Sequence, residues 1–231
     1  QRALDQVIND VALTRLHVVF CLDRAGIVGA DGPTHHGVFD IAQFRAIPGM
    51  TVCSPINEPW LRRLMYTATL PEEGPWVIRY PRGCGSIGGD KADGTPAWMC
   101  DLTEVEIGKG YCLREGQGDT AILSFGPIGI EAAKAIVKSG KDIAHYDMVF
   151  CKPIDKDLLA TVFAKYQRII TVEDGIANGG FGSAVLEEAN RQAYTGKIIR
   201  LGVPDAFVPH GTVAELYQDC GIDSESIAQI L

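Results

Sequence analysis

The chain has 231 residues, with 21 Lys and Arg against 29 Asp and Glu, for a formal net charge of −8. Hydrophobic residues make up 46% and charged residues 22%, which excludes a disordered chain and supplies a real core for one large or two small domains. The acidic balance excludes a generic nucleic-acid binder, because no basic surplus exists to release phosphate counterions; an anionic substrate would be held by a few placed arginines. No apolar run approaches the ~18 residues of a membrane span and no basic-then-apolar leader opens the sequence, so a cytoplasmic protein is expected. Seven scattered cysteines without a C-x-x-C pair form neither a disulfide framework nor a zinc site and read as reduced thiols.

Along the chain, the spacing of Leu4, Val7, Ile8, Val11 and Ala12 predicts a helix over 3–13 with one apolar stripe. Residues 17–22 are mostly apolar and β-branched, the pattern of a strand buried on both faces. A glycine-rich loop follows, then a short helix through Arg45 that Asp40 can cap, a strand at 51–53, and a helix over 57–70 with Pro59 in its first turn. A third strand covers 76–80. Residues 83–97 carry Gly, Pro and Asp without periodicity, which places a linker at 85–104 between a first unit at 1–84 and a second at 105–231.

The second unit alternates more cleanly. Strands are predicted at 121–125, 143–149, 168–172 and 197–201, and helices at 129–138, 155–165 and 181–192. Two short helices near Thr212 and Ser224 close the chain. This alternation implies an α/β fold of mostly parallel sheets covered by helices.

The chemistry concentrates in Asp23-Arg-Ala-Gly-Ile-Val-Gly-Ala-Asp-Gly-Pro-Thr-His-His-Gly37. This stretch leaves the carboxyl end of a buried strand, where α/β sheets place their ligands. Its glycines let backbone approach a ligand closely, while Arg24, Asp31 and His35 supply an anion fork, a carboxylate and a proton-bearing imidazole. Arg82 follows another buried strand and would complete a phosphate clamp with Arg24. His36 reads as a neighbour of the working His35, His17 as a strand-entry residue, and His145 and His210 as histidines with no partner at ligand spacing. The stretch Glu173-Asp-Gly-Ile-Ala-Asn-Gly-Gly-Phe-Gly182 lacks the G-x-G-x-x-G spacing of a nucleotide turn; its glycines read as close helix–sheet packing. No metal site is argued.

Four stretches carry a resemblance to a known family: the loop from Asp23 through His35 with Gly37, Tyr80-Pro-Arg-Gly83, Gln1-Arg-Ala-Leu-Asp-Gln-Val7, and Gly202-Val-Pro-Asp-Ala-Phe-Val-Pro-His-Gly211. Together they resemble the 1-deoxy-D-xylulose-5-phosphate synthase family, over essentially the whole chain. Asp-Gly-Pro-Thr-His marks the wider transketolase superfamily, and the preceding Asp-Arg-Ala-Gly-Ile-Val-Gly is more specific. The resemblance implies a transferase that uses thiamine diphosphate and Mg²⁺. It decarboxylates pyruvate and condenses the two-carbon unit with D-glyceraldehyde 3-phosphate, giving 1-deoxy-D-xylulose 5-phosphate for isoprenoid, thiamine and pyridoxal synthesis. The cofactor supplies the carbanion and the protein supplies placement.

By resemblance, Arg24 and Arg82 hold the aldehyde's phosphate, His35 stands next to the reacting carbonyl with Asp31 beside it, and Arg2 contacts the pyruvate-derived intermediate or the aldehyde. The sequence departs from the superfamily pattern in one large respect. It has no Gly-Asp-Gly for the diphosphate and metal, and the activating glutamate and stacking aromatic would precede Gln1. The chain is therefore expected to be the later part of the pyrimidine-binding domain plus the whole transketolase C-terminal domain, without its own cofactor platform and inactive alone. Such a piece is expected to expose a sheet edge and an apolar helix face, to pair with itself or the N-terminal portion, and to form a homodimer when intact. The alternatives are another transketolase-like enzyme, such as transketolase or a 2-oxoacid dehydrogenase β subunit, and a non-catalytic assembly module.

Overall fold

Successive side chains of a strand point to opposite faces, so each apolar run here must find two apolar neighbours. A computed structural model, which describes residues 2–70, 74–85, 87, 89–92 and 94–231, meets that demand with two sheets and three hydrophobic layers. The first half contains α1 (Leu4–Gln6, continued by a π-helical turn Val7–Ala12), β1 (Val19–Leu22), α2 (Asp40–Arg45), β2 (Thr51–Cys53), α3 (Glu58–Ala68) and β3 (Trp76–Arg79). Then come β4 (Tyr111–Arg114), β5 (Thr120–Phe125), α4 (Gly129–Ser139), β6 (Ala144–Asp147), β7 (Phe150–Lys152) and α5 (Lys156–Lys165). The chain closes with β8 (Arg168–Ile176), α6 (Phe181–Arg191), β9 (Lys197–Val203), α7 (Val213–Asp219) and α8 (Ser224–Ile230).

The first sheet has the order β1-β3-β2-β7 and the second β4-β6-β5-β8-β9. All pairings are parallel except β7 on β2 and β4 on β6. The period-two rule sorts the core. Val52 and Val77 face inward toward Leu123, Phe125, Ile169 and the apolar sides of α2 and α6, while Cys53, Trp76 and Ile78 face outward onto Leu64 and Ala68 of α3. Ile122, Ile170 and Val172 pack on the far side against α4, α7 and α8. Helix starts carry side-chain caps: Asn57 accepts from Trp60 N–H, Asp155 from Leu158 N–H, and Thr212 with Glu215 forms a capping box.

Several details differ from the pattern read in sequence. Residues 17–22 were expected to be buried on both faces, but β1 lies at one edge of the first sheet, half-buried, with Cys21 exposed. Hydrophobicity alone cannot separate a central strand from an edge strand. The 143–149 strand breaks at Val149, whose φ is +48°, and the chain then crosses to the first sheet as β7. β4, absent from the sequence reading, has three exposed residues out of four, so its apolar signal is weak. In α1 only Val7 and Ala12 are buried, while Leu13 and Leu16 just beyond it are exposed. All seven cysteines are free.

The inward layer contains one ionic centre. Arg79, 1% exposed at the end of β3, donates from Nε to Asp40 at 2.9 Å and from Nη1 to Asp174 of β8 at 2.6 Å. Its guanidinium carbon stands 6.0 Å from the Phe125 ring centroid, and Phe125 stacks on Phe181. Burial opposes the charge on Arg79, but Asp174 and Asp40 together raise its pKa and keep it cationic. Burial raises the Asp40 carboxyl, with Arg79 opposing, as expected where two carboxylates share one guanidinium.

Two other buried carboxyls have no cation in contact. Glu173 accepts the N–H groups of Phe181 and Gly182 at the start of α6, yet burial pushes it up to about 7. Asp147 accepts one bond, from Val149 N–H at 3.2 Å; its second oxygen has no partner, and burial pushes it up to about 7.

A carboxyl whose pKa is higher folded than unfolded favours the folded state fully below its ordinary value and loses that contribution as pH rises through the folded value. Asp147→Asn should therefore stabilise the chain more at pH 8 than at pH 5, by on the order of a few kcal/mol in urea unfolding; the reverse ordering would contradict the assignment. Arg79→Met, which strands two buried carboxylates, should cost about 3–5 kcal/mol. Arg82→Ala, removing a half-exposed pair at 3.7 Å, should cost under about 1 kcal/mol by the same measurement.

Candidate active site

Because β1 and β3 are parallel neighbours, the segments leaving their carboxyl ends emerge on the same edge of the sheet. The Asp23–Gly37 loop and the Tyr80–Gly83 turn are therefore side by side. Ala25 N–H donates to Tyr80 C=O at 3.0 Å, and Gly26 and Gly37 exchange backbone bonds at 2.9 and 2.8 Å that close the neck of the loop. Gly26, at φ +76°, rests directly on the ionic centre: a Cβ there would lie 2.2 Å from Asp174 Oδ2. The loop thus stands on a carboxylate contributed by the second sheet.

Arg24 adopts φ +55°, a conformation that costs a non-glycine residue of the order of 1–2 kcal/mol. Its side chain is exposed, 3.6 Å from Asp23. Arg82 reaches across the loop, donating from Nη1 to Val28 C=O at 3.3 Å and lying 3.7 Å from Asp31. His35 is exposed at the end of a turn in which its N–H bonds Gly32 C=O, and its Nδ1 is 3.0 Å from Thr34 Oγ1. The fold thus gathers Arg24, Asp31, His35 and Arg82 on one loop–turn pair. Arg2 is exposed ahead of α1, and among the described residues no hydrogen bond or ion pair ties it to the loop.

Two functional supports escaped the sequence reading. The Arg79 centre was one; an arginine ending the apolar run Trp-Val-Ile-Arg was the available signal, since a charge inside a buried strand demands partners. The other was His36, which is buried and bonded at both ring nitrogens, to Val28 N–H and Pro209 C=O. His145 is buried against Ser124 Oγ at 2.8 Å, and burial lowers it to about 4, the behaviour of a core histidine. The start of α6 is already occupied by the Glu173 carboxyl, which accepts the Phe181 and Gly182 N–H groups, and a Cβ on Gly180 would lie 2.1 Å from its Oε2.

Among the described residues no three His, Cys, Asp or Glu side chains converge as a metal site, and no helix is long and apolar enough to cross a membrane. The loop and the turn beside it carry exposed guanidinium groups, Arg24 and Arg82, that can pair with an anion. Their donor set does not fit a hard divalent cation, which demands several converging oxygen ligands.

The family described as "Transketolase, pyrimidine binding domain" matches residues 1–85, and "Transketolase, C-terminal domain" matches 108–227. The 1-deoxy-D-xylulose-5-phosphate synthase of Parabacteroides distasonis is 55% identical over 234 residues, covering 100% of this chain and 36% of the relative. That of Bacteroides thetaiotaomicron is 53% identical over 235 residues, covering 100% and 35%. The chain thus spans about a third of the length of the curated relatives it matches. Among solved structures, one titled "Split gene transketolase, inactive beta4 tetramer" superposes with a TM-score of 0.78 at 26% identity, over 99% of this chain and 69% of that one. A Pichia stipitis transketolase shares the fold, with a TM-score of 0.69 at 18% identity, over 95% of this chain and 30% of that one. The chain belongs to the transketolase family, and within it is similar along its whole length to the 1-deoxy-D-xylulose-5-phosphate synthases.

Proposed function

We propose that the chain carries the acceptor-substrate side of the active site of a 1-deoxy-D-xylulose-5-phosphate synthase, a thiamine-diphosphate-dependent transferase joining pyruvate to D-glyceraldehyde 3-phosphate. The observation that carries this reading is the crossing of Arg82 over the Arg24–His35 loop, at the shared carboxyl edge of β1 and β3. Two arginine forks on a glycine-rich turn suit a phosphate monoester dianion. Arg24 and Arg82 are assigned to that phosphate. His35 is assigned to the aldehyde carbonyl oxygen, where an N–H stabilises developing negative charge, and Asp31 to orientation beside it. Arg2 is assigned to the pyruvate-derived carboxylate or the aldehyde. The ion pairs at 3.6 and 3.7 Å are long and exposed, so an incoming phosphate can displace Asp23 and Asp31 at little cost.

Thiamine diphosphate and Mg²⁺ are proposed to be held elsewhere than on these residues, so no chemical step is assigned to them here. The remaining parts of the proposal are a cytoplasmic homodimer and a complementing N-terminal portion. A non-catalytic assembly module is the competing reading; it leaves an exposed arginine at φ +55° without a purpose.

Arg24→Ala or Arg82→Ala, in an active synthase containing this segment, should raise KM for D-glyceraldehyde 3-phosphate about 10- to 100-fold while leaving KM for pyruvate within about twofold. Equal effects on both substrates would remove the clamp assignment. CO₂ release from pyruvate, with D-glyceraldehyde 3-phosphate, thiamine diphosphate and Mg²⁺, should be absent for the chain alone and appear when the N-terminal portion of a relative is added. Turnover by the isolated chain would overturn the divided-site reading.

A further inference from the structure

We propose that His36 is a positioning residue that latches the Asp23–Gly37 loop to the second half of the chain. Through Val28, it sets where Arg82 stands. Two histidines are adjacent in the loop, but they face different environments: His35 is exposed, whereas His36 is 7% exposed. Nδ1 of His36 accepts the Val28 N–H at 3.2 Å, so it carries a lone pair and the ring proton of the neutral imidazole sits on Nε2. Nε2 faces Pro209 C=O at 3.0 Å, and a carbonyl can only accept. Both contacts therefore select the same tautomer, and a single ring joins backbone groups of the loop and of the segment before α7.

Val28 is the point of leverage. Its N–H is held by His36 and its C=O by Arg82 Nη1 at 3.3 Å, so the two side chains grip the same residue through its two backbone polar groups. The seam around the latch is tight. A Cβ on Gly29 would lie 3.0 Å from Gly211 C=O and 3.3 Å from Val213 Cγ2, and a Cβ on Gly32 would lie 3.4 Å from His210 Cβ. Phe39 meets Phe207 edge-on with ring centroids 6.5 Å apart. An apolar side chain at position 36 would fill the space and leave the Val28 N–H and the Pro209 carbonyl unpaired. The latch thus makes the loop's shape depend on the docking of the 207–213 segment.

The kinetic consequence rests on the phosphate-clamp reading above; the latch itself does not. In an active synthase containing this segment, His36→Leu should raise KM for D-glyceraldehyde 3-phosphate about tenfold with KM for pyruvate within about twofold. It should also speed amide hydrogen exchange across residues 28–32 by about tenfold. His36→Gln, which keeps an N–H for Pro209 and an acceptor on the same side chain, should recover most of both effects. Should His36→Leu fail to fold, His36→Asn removes the reach to Pro209 with a smaller change.

Unchanged exchange across 28–32 in the variant would reduce His36 to core filling and overturn the proposal, as would a Gln variant no better than Leu. Arg82→Ala run in parallel separates the two readings. A normal aldehyde-phosphate KM in Arg82→Ala would discard the clamp and leave exchange to decide the latch. A raised KM in Arg82→Ala with a normal one in His36→Leu would discard the latch alone.

Discussion

Arg79 is the constraint on which the rest of the structure depends. Its guanidinium is buried between Asp40, on the helix that follows the loop, and Asp174, on a strand of the other sheet. A buried cation cannot tolerate the loss of its partners, so the two sheets are held at a separation that keeps both carboxylates within hydrogen-bond reach. The apolar layer between the sheets supplies most of the attraction, being non-directional. The ionic centre supplies direction: two bonds at 2.9 and 2.6 Å admit little sliding of one half on the other.

The Asp23–Gly37 loop inherits its position from that centre. Gly26 sits on the Asp174 carboxylate, the loop neck closes on itself through Gly26 and Gly37, and the β3 turn follows Arg79 directly. The second half adds the 207–213 segment from the opposite side. Hydrogen-bonded backbone on both flanks thus presents half-exposed arginines, Arg24 and Arg82, at the rim.

Part of this was legible in the residues alone. Glycines spaced through Asp23–Gly37, with Arg24, Asp31 and His35 among them, marked the segment as an irregular loop rich in polar side chains, and the structure places it at the carboxyl end of β1. Helix starts at Asn57, Asp155 and Thr212 could be read because caps act within four residues of sequence. Asp40 was read as a capping residue, but Phe39 holds the cap position without a side-chain cap bond, and Asp40 is the first helical residue, its Oδ1 reaching no further than Ile41 N–H; its bond to Arg79, 39 residues away, had no local signature. β7 was hidden for the same reason. Its three residues look like the tail of the preceding strand, and only the partner offered by β2 pulls them into the other sheet.

By itself, then, the sequence determined what local rules can carry: the α/β alternation, the helix ends capped by Asn57, Asp155 and Thr212, and the glycine-rich loop after the first strand. Tertiary structure decided which of two adjacent histidines is exposed and which is a strut, and which strand is the edge. It also decided that one arginine of β3's carboxyl end is buried while Arg82, three residues on, stands at the rim. Those outcomes rest on contacts between residues up to 173 positions apart. Partners at such distances are fixed by the packing of whole layers, and no window of sequence contains both sides of the contact.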